Sequence, residues 1–387
     1  MRTRTGSRVR GPGPGGRGPI RNPKSGIPNA RVAAPFLGVL AFLVSAQLVA
    51  MMGAEAAAGG PEARPTRPAP RQQTPPEPPE QPPHEGDEGQ KVVVRGEQQE
   101  FEAWCLPLNY RNADGSFNQD AIVAQQKKRL ETLNQKLPAK FRLAETRHYL
   151  VLSDADSKMT GQFVRWSEAL YENLRRQFDI GPRDRVWDGK CILLVFNSRA
   201  TFAAHSRTFD GFDGSRAGAY FAVEARAEDE PQLVHMCLPL DSRDPRRLQE
   251  LFAHEGTHAF FQLYRKSVDL PLWLHEGLAE FMTVVNDPQL KARKVHYAVL
   301  AARQGTPIAG LLQRKPYTGL SYPEYNISYT LVDFLVTGGK ARFKKFVDGL
   351  KDGKDQETAL KEAYGWGLGE LERRWRLYAA KYLAAGR

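Results

Sequence analysis

The chain has 387 residues, 41% of them hydrophobic, with 55 Lys and Arg against 44 Asp and Glu for a formal charge of +11. That length and apolar content suffice for one large core or a two-lobed unit and exclude a chain disordered throughout. The basic balance is no nucleic-acid signature, and no nucleic-acid partner is expected: residues 1–31 hold eight Arg or Lys and no acidic residue, leaving +3 for all that follows.

Residues 1–31, basic and rich in Gly and Pro, read as a cytoplasmic tail that sets topology. Residues 32–53 follow as an apolar segment, interrupted between Val32 and Met52 by Ser45 and Gln47, and long enough to cross a bilayer as a helix. Positive charge before it, with Glu55 and Glu62 after it, predicts a cytoplasmic N-terminus and an extracytoplasmic remainder. Two readings stand side by side. An uncleaved signal anchor makes a single-pass protein of the cell membrane; a signal peptide cut near Ala54-Glu55-Ala56 makes a secreted one. Residues 54–90, dominated by Pro, Glu, Gln, Arg and Gly, cannot bury enough surface to offset their ordering entropy and read as a disordered linker.

A small leading module is expected over residues 91–145, with a strand-like Val92 to Leu106 and a charged helix from Asp120 to Leu137. The main domain is expected over residues 146–387. Periodicity predicts strands over His148 to Ser153 and Cys191 to Asn197, and helices over Lys158 to Phe178 and Arg199 to Ser206. Ala217 to Glu224 and Gln232 to Leu238 read as a hairpin, one strand of which is a candidate open edge for an extended peptide. After Asp244 the pattern is almost wholly helical. The three cysteines, Cys105, Cys191 and Cys237, have no zinc-ligand spacing along the chain; Cys191 and Cys237 fall in apolar strands and read as buried thiols, with a disulfide left open.

The helical part carries His254-Glu255-Gly256-Thr257-His258. Two histidines four residues apart lie on one helical face and can share a small cation, with Glu255 placed as general base for a water; this is the HExxH pattern of a zinc hydrolase. Catalytic zinc takes three protein ligands and keeps a fourth position open, and Glu276, at the start of a second apolar helix from His275 to about Val285, is the expected third ligand. Glu280, one turn on, is placed to hold an imidazole N–H from behind. His275 points about 100° away from Glu276 and reads as a cleft or surface residue, not a ligand.

Together with Trp273-Leu274-His275-Glu276-Gly277-Leu278-Ala279-Glu280, the motif resembles the gluzincin metallopeptidases, and among them the bacterial peptidase-MA-like domains of unassigned function. The resemblance implies Zn2+ on His254, His258 and Glu276 with Glu255 as general base. It also implies an α+β fold in which a small mixed sheet lobe precedes a helical lobe, the zinc site lying between them. Tyr325-Asn326-Ile327-Ser328-Tyr329 resembles the tyrosine-bearing helix start of gluzincin aminopeptidases, which implies an oxyanion-stabilising role for Tyr325; Tyr317, Tyr322 and Tyr329 are rival donors. The aminopeptidase Gly-Ala-Met-Glu-Asn strand is missing. Its nearest counterpart, Ala217 to Glu224, has no acidic anchor in the matching place, so exopeptidase specificity is not implied. The expected function is a membrane-tethered or exported zinc metallopeptidase acting on peptides or proteins. The alternative is a catalytically weak zinc-containing scaffold of the cell envelope.

Overall fold

The chain divides into Met1–Phe36 and Leu37–Arg387. The computed structural model describes residues 38–43, 110–225, 230–242, 244–265, 268–315 and 318–383, all in the second unit. The tail over 1–31, the linker over 54–90, the strand expected at Val92 to Leu106, Cys105 and Tyr317 lie outside the described residues.

Among the described residues six strands form one mixed sheet: β1 (Gly38–Leu43), β2 (Arg142–Glu145), β3 (Tyr149–Ser153), β4 (Cys191–Phe196), β5 (Tyr220–Ala225) and β6 (Leu233–Pro239), in the order β1-β5-β6-β4-β3-β2. The two central pairings, β3 with β4 and β4 with β6, are parallel, and the flanking ones are antiparallel. Every residue of β3, β4 and β6 is buried, as expected of strands covered on both faces.

Alternation along these strands makes two cores. Tyr149, Val151, Leu193, Val195, Phe221, Val223, Val234 and Met236 face one way, onto α2 (Ser157–Gln177) and α4 (Pro245–Leu263). Leu150, Leu152, Ile192, Leu194, Tyr220 and Cys237 face the other way, toward α1 (Gln119–Lys136) and α3 (Arg199–Phe209). Helix α1 and strand β2, which fall within the residues 91–145 expected to form a leading module, are built into this lobe. Gln126 of α1 donates to the Lys190 carbonyl and accepts from the Lys190 N–H, at 2.7 and 3.0 Å.

The helical lobe continues through α5 (Leu272–Asn286), α6 (Lys291–Gln304), α7 (Ala309–Leu312), α8 (Tyr322–Thr337), α9 (Lys340–Lys351), α10 (Gln356–Tyr364) and α11 (Leu368–Tyr378). The α+β class and the order of lobes are as expected. The α4 helix starts at Asp244, whose carboxylate accepts the Arg246 N–H, with Pro245 pre-setting the first turn. From Phe252 to Leu263 every residue is buried. An all-round buried helix needs small residues where neighbours come close, and α4 has Gly256 against Leu170 while α5 has Gly277 against the Ser328 carbonyl of α8.

Two expectations change. The α5 helix begins at Leu272, because the Pro271 carbonyl accepts from both Leu274 and His275; Glu276 therefore sits in the second turn, not at the helix start. The β5 edge is not open: Gly38–Leu43 pairs along it from Gly38 opposite Ala225 to Leu43 opposite Tyr220. Those six residues belong to the apolar segment 32–53, whose remainder lies outside the described residues. Among the described residues, no helix is long and apolar enough to cross a membrane.

Candidate metal centre

The packing of α4 against α5 brings His254, His258 and Glu276 together with all three side chains buried. His254 Nε2 lies 3.1 Å from His258 Nε2, and Glu276 Oε2 lies 3.4 Å from each of them. Zinc bonds of 2.0–2.2 Å in a tetrahedral arrangement put neighbouring ligand atoms about 3.3–3.5 Å apart. The observed triangle has that size. Among the described residues Glu276 Oε2 is moreover a buried oxygen with no hydrogen-bond partner, an expensive state for a carboxylate unless a cation compensates it. The donor set and its spacing fit zinc.

The far nitrogen of each imidazole is also held. His254 Nδ1 lies 3.0 Å from Glu280 Oε1, and His258 Nδ1 lies 3.1 Å from His275 Nε2. Both rings thus present Nε2 to the centre, with the tautomer set from behind. Glu280 stands where the sequence places it. His275 stands outside the group of His254, His258 and Glu276, yet it is no mere surface residue: it braces His258 from the helix that carries Glu276. Burial, and then the neighbouring His258, pulls the His275 pKa well below the usual histidine range, keeping the ring neutral and Nε2 able to accept.

Behind Glu280 runs a charged chain that sequence reasoning missed. Lys294 of α6, buried, pairs with Glu280 Oε2 and, at 3.0 Å, with Glu250 Oε1, which Arg293 reaches at 2.7 Å. Burial works against ionisation of Glu280, but Lys294 and His254 hold its pKa at about 2. Lys291, Arg293 and Lys294 form a basic run that reads as a solvated helix start; no local signal marks one of them as inward.

Glu255 is fully buried, and among the described residues neither of its carboxylate oxygens has a hydrogen-bond partner. Burial pushes its pKa up to about 8, His254 acting against and Glu276 with that shift. On His254, burial opposes the charge, yet Glu276 and Glu280 outweigh it and raise the pKa to about 10. A divalent cation held by His254, His258 and Glu276 would favour the ionised form of Glu255, the form a general base needs.

Tyr325 opens α8 on the same side, its ring centroid 6.3 Å from that of His254. A capping box fixes this helix start: Glu324 Oε2 accepts from the Ser321 N–H at 2.8 Å, while Arg314 pairs with Oε1 at 2.6 Å. Of the rivals, Tyr322 packs edge-on to Tyr297, centroids 5.5 Å apart. Tyr329 is fully buried, and its hydroxyl has no hydrogen-bond partner among the described residues. On the other flank Phe221 of β5 lies 6.4 Å from His258, so β5 passes beside the centre.

Residues 249–381, essentially α4 to α11, match the model of the Peptidase MA superfamily. The resemblance read from the sequence is thus borne out over the helical lobe. No curated protein matches the chain. Among solved structures it is similar to a mutant of the M1 zinc metallopeptidase from Deinococcus radiodurans, at 15% identity over 62% of this chain and 52% of that one, TM-score 0.35. A two-domain M1 zinc metallopeptidase mutant bound to L-arginine matches at 16% identity, 62% and 51% coverage, and TM-score 0.35. The match spans about half the length of those structures.

Proposed function

We propose that this chain is an exported zinc metallopeptidase, with His254, His258 and Glu276 as metal ligands and Glu255 as general base. The observation that carries the reading is the buried triangle of Nε2, Nε2 and Oε2 atoms at 3.1–3.4 Å, beside a buried glutamate whose carboxylate makes no hydrogen bond among the described residues. A closed structural site has no use for such a glutamate. When bound, zinc supplies a Lewis acid that polarises a carbonyl and activates water. Glu255 takes a proton as a water attacks the scissile carbonyl and passes it to the leaving amine. Tyr325, across His254, donates its hydroxyl to the developing oxyanion. Glu280 and His275 hold the two imidazoles in the orientation that metal binding requires.

A peptide or protein substrate is supported by the match of residues 249–381 to the Peptidase MA superfamily; the β5 edge beside the centre is itself held by Gly38–Leu43. The basic residues before 32–53 and the acidic ones after support export, with that segment as anchor or cleaved signal. Residues 38–43 cannot be both a bilayer helix and a strand on β5; the N-terminal sequence of the mature protein, taken with its membrane partitioning, distinguishes the two.

Glu255→Gln tests the reading. Peptide-library hydrolysis is expected to fall on the order of 10²–10⁴-fold with metal content unchanged. Turnover that survives the substitution rules out this mechanism. A metal-replete wild type that cleaves no peptide or protein leaves the scaffold reading.

A further inference from the structure

A second cluster of metal-ligating side chains lies on the other face of the sheet. His205, Asp210, His235 and Cys237 are all buried, and one ligand atom from each lies within 4.8 Å of all the others. Alternation along β6 explains two of them: Val234, Met236 and Leu238 face α2 and α4, so His235 and Cys237, two residues apart, face α3. The other two come from the end of α3. His205 lies in its last turn, between the rings of Phe196 and Phe209, with centroids at 5.2 and 5.1 Å. Asp210 is the C-cap, fixed where its own N–H and that of Phe212 both bond to the Ser206 carbonyl, Gly211 making the left-handed turn between them.

The site has what an apolar core lacks and a metal centre needs. His205 is 1% exposed, and among the described residues neither of its ring nitrogens makes a hydrogen bond; Nε2 lies 3.3 Å from Asp210 Oδ2. His235 Nε2 lies 3.0 Å from Asp210 Oδ1. Tyr220, opposite Cys237 in the sheet, donates its hydroxyl to Asp210 Oδ2 at 2.5 Å and so orients the carboxylate from outside the cluster. Two imidazoles, a thiol and a carboxylate, converging from a strand and a helix end, make a complete four-coordinate set for a borderline-soft divalent ion.

We propose that His205, Asp210, His235 and Cys237 form a second Zn2+ centre, closed and structural, that ties the end of α3 to β6. Four protein ligands leave no position for water, in contrast to the three of the first centre. Binding deprotonates Cys237, and the released proton goes to solvent. The inference does not depend on the peptidase reading, since the two centres share no residue and lie on opposite faces of the sheet.

Cobalt substitution separates the centres, because the first contains no sulfur. The full chain reconstituted with Co2+ is expected to show a near-ultraviolet thiolate-to-cobalt charge-transfer band. His258→Ala should keep the band, as should Cys105→Ser and Cys191→Ser; Cys237→Ser should abolish it and lower the metal content by one ion per chain. Absence of the band in folded, cobalt-loaded wild type overturns the proposal, as does its loss in Cys105→Ser or Cys191→Ser, or its survival in Cys237→Ser. Should Cys237→Ser not fold, zinc X-ray absorption on the His258→Ala protein decides the matter: one sulfur neighbour is expected, and none contradicts the assignment.

Discussion

His258 Nδ1 sits 3.1 Å from Nε2 of His275, the residue next to Glu276, so a single turn of α5 supplies one proposed ligand and braces another. Glu280, one turn on, braces His254 at 3.0 Å. If these contacts set the imidazole orientations, His275→Phe and Glu280→Gln should each weaken zinc binding about 10–100-fold without removing a ligand. Competition with a chromophoric chelator measures this. Affinity unchanged in both variants would show that packing alone orients the rings.

The protonation states make metal uptake pH-dependent. With its pKa raised to about 10, His254 carries a proton at neutral pH in the metal-free protein, and the metal must displace it. Zinc affinity should therefore rise with pH up to about 10, and calorimetry in buffers of different ionisation enthalpy should report proton release at pH 7. For stability the sign runs the same way at both groups. The His254 contribution is full below the unfolded value of 6.5 and lost as pH rises through about 10; ionisation of Glu255 destabilises the fold increasingly from 4.5 to about 8. The Tm of metal-free protein should fall from pH 7 to pH 10, and Glu255→Gln should flatten that fall up to about pH 8. A flat wild-type profile would contradict the burial argument.

Two glycines of the centre should respond differently to alanine. At Gly277 an added Cβ would meet the Ser328 backbone oxygen at 2.5 Å, and backbone cannot step aside without moving α8. At Gly256 the nearest atom is Leu170 Cδ2, also at 2.5 Å, the free end of a side chain with other rotamers. Gly277→Ala should cost about 1–3 kcal/mol or more, and Gly256→Ala distinctly less. Denaturant titration ranks them; the reverse order would mean that α5 does not pack on α8 as described.

Much of this was legible in the sequence because its signals are local. HExxH spacing names His254, Glu255 and His258, and the second apolar helix names Glu276 and Glu280. Runs such as Cys191–Phe196 declare themselves as buried strands, and Ser157–Gln177 as a helix. What stayed hidden depends on tertiary contact. Lys294 reads as solvated until Glu280 and Glu250 close over it. The short β2 is mostly exposed and carries little apolar periodicity. His205, Asp210, His235 and Cys237 have no recognised ligand spacing, because a helix end and a strand meet only across the folded sheet.

The most direct test of the central claim is the zinc content of the purified full chain beside His258→Ala and Glu276→Ala, with folding checked by circular dichroism. Each variant is expected to fold and to carry one zinc per chain fewer than wild type. Equal zinc content in all three folded proteins would contradict the claim and remove His254, His258 and Glu276 as a metal centre.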